Sequence, residues 1–273
     1  MRLMAKATLI AGVVCAAPAL CADLPTKKPA PVPIPEPAIP STWRFELTAY
    51  GWASSLAGNV GIRQLPTLPY YFSFGKVLEH LDGVFMGAAT ASNGTFIGGL
   101  DLVWARVSGD YTFEDPASRL FGVQASLKIS EATATGFGGV RIPVGAPNLE
   151  LYGILGARYF YTGGSITLAH PLVGFQPSVS RDKDWIDPVA GFVARYRIDP
   201  KWFINSEADI GGLSDSATGQ VLAAVGYNWT SNIATTLGYR VLYAYERQDT
   251  GGNRSFRYQQ WTYGPFVGLK FGF

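Results

Sequence analysis

Residues able to do acid–base or nucleophilic chemistry are few in this sequence. It holds only two histidines, His80 and His170, and two cysteines, Cys15 and Cys21. His170 is followed by proline and has no serine partner at a telling spacing, and no zinc-ligand spacing, phosphate loop or nucleotide fingerprint occurs. We therefore expect no catalytic residue, no metal and no cofactor. A hydrolase that uses the histidines, or acids alone, is the remote alternative.

Charged residues recur instead at alternate positions of apolar segments. Arg195 and Arg197 lie two residues apart, as do Glu207 and Asp209, and a turn at 199–201 separates the two pairs. On adjacent antiparallel strands these side chains would face one another, so we predict a cross-strand ladder of ion pairs. A site for a cation or an anion is the alternative.

The elements that would position these charges are β-strands. In the last segment, alternate residues from Trp261 to Phe273 are mostly apolar or aromatic, whereas Lys270 shares the opposite face with glycines. Segments of about ten residues with this period are typical of a transmembrane β-barrel; a soluble sandwich also alternates but buries its apolar face. We predict an all-β, antiparallel up-and-down transmembrane barrel of ten strands, with eight or twelve as alternatives, at 44–54, 83–92, 95–108, 121–142, 149–161, 185–198, 202–213, 219–229, 233–246 and 257–273.

The connections between these strands alternate in length. Short turns and longer loops on opposite sides are typical of outer-membrane barrels, whose short turns face the periplasm, so both chain ends would lie there. Within the first long loop, residues 74–81 have apolar side chains at helical spacing and predict a short helix at the rim or inside the lumen. The short connections are 93–94, 143–148, 199–201 and 230–232; the others, mostly longer, are 55–82, 109–120, 162–184, 214–218 and 247–256.

All seven tryptophans fall at ends of predicted strands. Indole rings favour membrane interfaces, because the ring is buried while its N–H stays hydrated. Trp52 fits this placement only if Gly51 marks a bulge, since simple alternation from Phe45 points it inward. We predict two girdles of interfacial aromatic residues, a periplasmic one of Trp43, Trp202 and Trp229 and an outer one of Trp52, Trp104, Trp185 and Trp261.

Composition and the start of the chain indicate export. Charged residues make up only 15% of the chain, whereas soluble domains carry about 25%. Residues 1–22 predict a signal peptide, with Arg2 and Lys6 before a short apolar stretch and cleavage near Ala22, or near Ala19. Both cysteines lie in this segment, so the mature fold would not depend on disulfides. Without Arg2 and Lys6, 20 basic residues remain against 20 acidic ones, and this neutral balance gives no indication of nucleic-acid binding.

The mature chain divides into two predicted parts. Residues 23–42 predict a periplasmic tether, because seven prolines within 25–40 favour an extended polyproline conformation. Residues 43–273 predict the outer-membrane barrel.

Several segments resemble a widespread and largely uncharacterised group of proteobacterial outer-membrane β-barrel proteins. They include FELTAYGWASSLAGNVGI (45–62), WIDPVAGFVARYRIDPKWFINSEADIGGL (185–213) and VGYNWTSNIATTLGYRVLYAYE (225–246). The start of the mature chain, ADLPTKKP (22–29), is similar to that of alphaproteobacterial outer-membrane surface antigens. The resemblance implies the fold and the cell outer membrane, but no activity. Phe273 and the alternate apolar residues before it resemble the C-terminal signal that the barrel-insertion machinery reads, so this machinery is an expected partner.

Inward positions of the predicted barrel, Lys128 among them, carry eight acids and eight bases. Paired charges would fill and stiffen a narrow lumen, or would line a pore for small solutes. We favour the filled lumen, and hence a surface-exposed structural or interaction protein, with a narrow porin-like channel as the alternative. Outer-membrane lipid, lipopolysaccharide and, through the tether, peptidoglycan are the other expected partners. The candidate lumen network comprises Arg158, Arg195, Arg197, Glu207, Asp209, Arg240, Glu246 and Lys270.

Overall fold

The computed structural model describes residues 42–62, 68–112, 124–169, 178–248 and 256–273. Three features of the sequence analysis lie outside the described residues: the predicted signal peptide (1–22), residues 25–40 of the tether, and His170. The signal peptide and the tether stay predictions. The described elements are, in chain order, β1 (Arg44–Trp52), β2 (Ser55–Ile62), β3 (Leu68–Phe72), α1 (Phe74–Glu79), β4 (Leu81–Ser92), β5 (Phe96–Thr112), β6 (Gln124–Ile142), β7 (Leu149–Ala169), β8 (Ser178–Arg197), β9 (Trp202–Gly211), β10 (Ser216–Asn228), β11 (Ile233–Gln248) and β12 (Phe256–Gly272).

Ten of these strands close into an antiparallel barrel. They pair in the order β1, β4, β5 and onward to β12, and β12 pairs again with β1. Inward and outward residues alternate along the closed wall. This confirms the predicted ten-stranded antiparallel barrel.

The exposure of the wall is the reverse of that in a soluble protein. Ile210 and Leu155 point outward and are 75% and 72% exposed, whereas Arg158 and Arg240 point inward and are 0% and 1% exposed. An apolar outer face with charges inside is stable only if lipid covers the wall. The protein is therefore a β-barrel of the cell outer membrane.

The short turns are held by polar side chains that the sequence places at fixed positions. Asn93 Oδ1 accepts the backbone N–H groups of Thr95 and Phe96 at 3.0 and 2.7 Å, and Gly94, which follows Asn93, has a φ of 84°. Asp199 Oδ1 accepts the N–H groups of Lys201 and Trp202, both at 2.7 Å. Such side chains substitute for strand hydrogen bonds and stop the ladder, which keeps the periplasmic turns tight.

On the outer side the structure differs from the prediction, because many residues predicted to form loops lie in strands. A tilted strand needs roughly 9–11 residues to cross a membrane, and β9 has 10, but β6, β7 and β8 have 19, 21 and 20. These strands continue as a paired sheet beyond the membrane. β6 lies within the long strand predicted at 121–142, whereas β7 and β8 extend over much of what was predicted as loop 162–184. We call residues 105–112, 124–131, 161–169 and 178–184 the outer sheet extension.

The predicted loop 55–82 also contains regular structure. After a break at Ala53 and Ser54, β2 pairs with the outer half of β12, and β3 pairs with β2. The short helix predicted within 74–81 is present as α1, and none of its residues is buried. It therefore lies at the rim and does not fill the lumen. Across the described residues, no helix is long and apolar enough to span a membrane.

Candidate functional site

Arg158 crosses the middle of the lumen from β7. Its Nη2 donates to Asp209 Oδ2 at 2.7 Å, its Nε to Thr135 Oγ1 at 2.9 Å and its Nη1 to Thr218 Oγ1 at 3.0 Å. The three partners belong to β9, β6 and β10. A single buried guanidinium thus ties together four strands of the wall.

Arg240, on β11, likewise joins several strands through its guanidinium. Its Nη2 donates to Asp101 Oδ2 at 2.6 Å and to Gln220 Oε1 at 2.6 Å, and its Nη1 donates to Tyr50 OH at 2.8 Å. The guanidinium also lies 4.8 Å from the ring centre of Trp52, a favourable cation–π position. We call Arg158, Arg240 and their hydrogen-bonded partners the central plug.

Glu207 and Asp187 extend the central plug. Gln220, already bonded to Arg240, donates from Nε2 to Glu207 Oε1 at 2.7 Å. Asp187 lies directly opposite Arg158 on β8 and accepts from Trp185 Nε1 at 3.3 Å and from the Ser216 hydroxyl. A network in which most buried donors and acceptors are paired holds a polar lumen in one arrangement.

An aromatic and polar layer lies above the central plug. Trp185 stacks on Phe160 at 4.9 Å between ring centres and meets the edge of Tyr258 at 5.5 Å. Gln260 Nε2 and Tyr258 OH donate to the Glu131 carboxylate at 3.1 and 3.3 Å. Still further out, Lys183 Nζ lies 3.6 Å from the Glu246 carboxylate.

A charged layer closes the periplasmic end of the lumen. Glu46 Oε1 accepts from Arg195 Nη1 at 2.7 Å and from Lys270 Nζ at 3.1 Å. Both cations also lie on the ring of Phe203, at 4.7 and 4.5 Å from its centre. Glu150 similarly lies 3.4 Å from both Arg44 and Arg197. Carboxylates in this layer are thus each shared by two cations.

The eight residues of the predicted network all belong to these interior contacts, but the predicted ladder between β8 and β9 is wrong. Arg195 lies opposite Asn205 and Arg197 opposite Phe203, so neither arginine faces Glu207 or Asp209. Arg195 and Asp209 contact partners on non-adjacent strands, Glu46 on β1 and Arg158 on β7. Arg197 and Glu207 contact Glu150 and Gln220 on the adjacent strands β7 and β10. Sequence alternation gives the inward face but not the register between strands, which the turn at 198–201 sets. Lys128, also predicted to point inward, is exposed on the outer sheet extension.

Two of the seven predicted interfacial tryptophans are placed differently by the structure. Trp52 and Trp185 are 5% and 9% exposed and belong to the lumen cluster with Phe160 and Tyr258. β1 alternates without a bulge up to Trp52, so this ring points inward. The others lie on the outside of the barrel: Trp43, Trp104, Trp202, Trp229 and Trp261.

Sequence reasoning missed the neutral members of the lumen network. Tyr50, Thr135, Thr218, Gln220 and Gln260 share the inward phase of the charged residues, which was the available signal. His80 lies after α1 and its Nδ1 is 3.0 Å from the Lys76 carbonyl oxygen. No group of three or more histidine, cysteine or acidic residues suited to a metal occurs in the described part of the chain.

Solved structures with some similarity are themselves outer-membrane proteins. They include Ail, the attachment invasion locus protein of Yersinia pestis, at 14% identity and a TM-score of 0.31, with 84% of this chain and 98% of that one covered. Neisserial surface protein A shows 14% identity and a TM-score of 0.31, over 83% and 97%. The translocator domain of autotransporter NalP from Neisseria meningitidis shows 12% and 0.39, over 83% and 88%. No protein-family model and no curated protein matches the sequence.

Proposed function

We propose that this outer-membrane barrel is a surface-exposed structural and interaction protein with a closed lumen. The observation that carries the proposal is the complete burial of Arg158 and Arg240 in the middle of the barrel. Their partners come from β1, β5, β6, β9 and β10, so the central plug spans the lumen from several sides. A solute would have to break these charge-assisted hydrogen bonds to pass. Membership in the uncharacterised proteobacterial group is part of this proposal.

The outer sheet extension supports the interaction part of the proposal. Its outward face carries Arg106, Lys128, Ser130 and Asp182, which line a groove of about 420 Å³ together with Tyr161. A paired sheet presents these groups on a fixed surface, at a lower entropy cost on binding than a loose loop. Arg106 lies beside Trp104, at 5.6 Å from its ring centre. That is the level of lipid headgroups, so lipopolysaccharide phosphates are the first partner we propose for this face.

Planar-bilayer conductance of the refolded barrel tests the closed lumen. We expect no steady openings from the wild-type protein. We expect Arg240→Ala to conduct, because it removes the side chain that joins β11 to β1, β5 and β10. Arg106→Ala, which removes an arginine from the outer wall, is the matched control and should stay silent.

The opposite result would favour the narrow channel. Steady, ion-selective openings of the wild-type barrel, altered by Arg195→Ala or Glu207→Ala, would mean that the lumen conducts and that these charges set its selectivity. In that case the central plug would be a constriction of a pore and the structural role would be wrong.

A further inference from the structure

The groove on the outer sheet extension is built from rows of residues that lie directly opposite one another across β5, β6, β7 and β8. These rows share the outward phase of Trp104. The middle row is Arg106, Ser130, Gly163 and Asp182. The row further from the membrane is Ser108, Lys128, Ser165 and Ser180, and the row nearer to it is Trp104, Ala132, Tyr161 and Asp184.

Small residues form the floor of this groove. Ser130 and Gly163 hold the two positions between Arg106 and Asp182, and three strand spacings separate the outer pair of Cα atoms by roughly 14 Å. A Cβ on Gly163 would lie 2.7 Å from the Tyr161 hydroxyl and 2.7 Å from Asp182 Oδ1. Both side chains therefore reach over position 163, and any side chain there would displace them. The volume of about 420 Å³ suits a small ligand, since such sites measure roughly 300–1,000 Å³.

The β5 and β6 side of the groove is cationic. Lys128 lies two residues from Ser130, the residue opposite Arg106, so it is the diagonal neighbour of Arg106, at roughly 7–8 Å between Cα atoms. Both cations are exposed, and neither forms an ion pair with another described side chain. Asp82, which also lines the groove, accepts instead from the Ser108 hydroxyl at 2.8 Å. Two flexible cations at this separation can bind one phosphate group together.

The β7 and β8 side of the groove has a different chemistry. Asp182, the Tyr161 hydroxyl and the hydroxyls of Ser165 and Ser180 line it, and the groove residues on these two strands include no cation. A carboxylate accepts hydrogen bonds from hydroxyl and N–H groups, and serine hydroxyls both donate and accept. These are the polar groups that an amino sugar carries. The row beneath, with Trp104 and Tyr161, has the aromatic residues typical of a membrane interface, so the groove opens where lipid headgroups lie.

We propose that this groove binds a phosphorylated amino sugar of the lipopolysaccharide headgroup. The phosphate would contact Arg106 and Lys128, and the sugar ring would lie over Ser130 and Gly163, with its hydroxyl and N–H groups donating to Asp182. The inference rests on the proposed contact with lipopolysaccharide phosphates. It adds recognition of the sugar and a fixed orientation of the ligand across the four strands.

Isothermal titration of the refolded mature barrel in detergent tests the site, with EDTA present so that no divalent cation bridges the charges. The probes are N-acetylglucosamine 1-phosphate, inorganic phosphate and uncharged N-acetylglucosamine. We expect the sugar phosphate to bind most tightly and intact lipopolysaccharide to compete with it. Arg106→Gln and Lys128→Gln should each weaken binding of the sugar phosphate and of phosphate about tenfold, since each removes a charge-assisted contact. Arg257→Gln, an exposed cation on β12 outside the groove, is the matched control and should bind like the wild type.

Variants on the opposite side of the groove separate recognition of the sugar from attraction of the phosphate. Asp182→Asn should weaken binding of the sugar phosphate about fivefold and leave the affinity for phosphate unchanged or slightly higher, because it removes an acceptor and a negative charge. Gly163→Ala should also weaken the sugar phosphate, because its Cβ displaces Tyr161 and Asp182. Heat-modifiable migration equal to that of the wild type shows that each variant has folded.

Two results would contradict the proposal, and they differ in what they leave standing. Equal affinities for phosphate and sugar phosphate, with no effect of Asp182→Asn or Gly163→Ala, would overturn recognition of the sugar and leave the phosphate contact intact. Absence of heat with both phosphorylated probes up to about 10 mM, together with equal binding of lipopolysaccharide by the wild type and Arg106→Gln, would overturn both. The closed lumen is measured separately by conductance.

Discussion

At the scale of single residues, two buried arginines organise the hydrogen bonds inside the lumen. Arg158 and Arg240 are buried, and each satisfies its guanidinium with at least one acid and further neutral acceptors. Burying a charge costs several kcal/mol, which only such complete pairing repays. The neutral partners Thr135, Thr218 and Gln220 are therefore as necessary to the arrangement as the carboxylates.

Replacing Arg158 tests this account of the buried charge. We expect Arg158→Met to lower the free energy of unfolding by about 3–5 kcal/mol, because Asp209 would stay buried without its cation. Urea unfolding in lipid vesicles, followed by tryptophan fluorescence, measures the change. Arg106→Met on the exposed outer wall is the matched control and should change the free energy by less than about 0.5 kcal/mol. A similar small effect for both variants would contradict the role given to Arg158.

At the scale of secondary-structure elements, closure of the barrel depends on the last strand, β12. β12 pairs with β11 along its whole length and with β1 along its periplasmic half. The seam ends in two backbone hydrogen bonds between Phe45 and Phe273, at 2.8 and 3.3 Å. The Phe273 side chain points outward and is 76% exposed. The terminal residue thus both finishes the seam and presents an aromatic ring on the outer wall.

We expect deletion of Phe273 to lower the yield of membrane-inserted barrel and to raise periplasmic degradation. Deletion alone would cost the two seam hydrogen bonds, about 1–3 kcal/mol together. An extension of the chain beyond Phe273 keeps these bonds and the ring, so a loss of yield on extension would show that the insertion machinery reads the free terminus. Heat-modifiable migration on gels measures the inserted fraction. Full insertion of the extended chain would rule out this recognition.

At the scale of the whole molecule, the barrel consists of a lipid-facing membrane wall and the outer sheet extension. Strands of membrane length, such as β9, form the lipid-facing wall, and the longer β6, β7 and β8 continue it outside. The excess of about ten residues in each extends the sheet by roughly 30 Å along the strand, at about 3.3 Å per residue. The proposed contact with lipopolysaccharide would thus lie on the outer side of the central plug.

Deletion of residues 25–40 tests the predicted tether. This segment has seven prolines and few apolar side chains, so it cannot contribute a core and the barrel should fold without it. We expect the truncated mature protein to insert, to resist protease and to show the same heat-modifiable migration as the full mature chain. Loss of folding would mean that the segment packs on the barrel. Retained folding with lost co-sedimentation with peptidoglycan would assign the cell-wall contact to the tether.

The sequence by itself determined the strands, their alternation and most of their ends, because a membrane wall imposes a period of two on every spanning segment. It also indicated the eight charged residues of the lumen network, because a lipid-facing wall has few other positions for a charge. Tertiary structure alone decided their partners: β8 and β9 pair in a register that separates Arg195 from Glu207, and Arg195 instead contacts Glu46 on β1. The tertiary structure also determined how far the strands extend on the outer side, since hydrogen-bonded pairing continues where no membrane enforces a hydrophobic pattern.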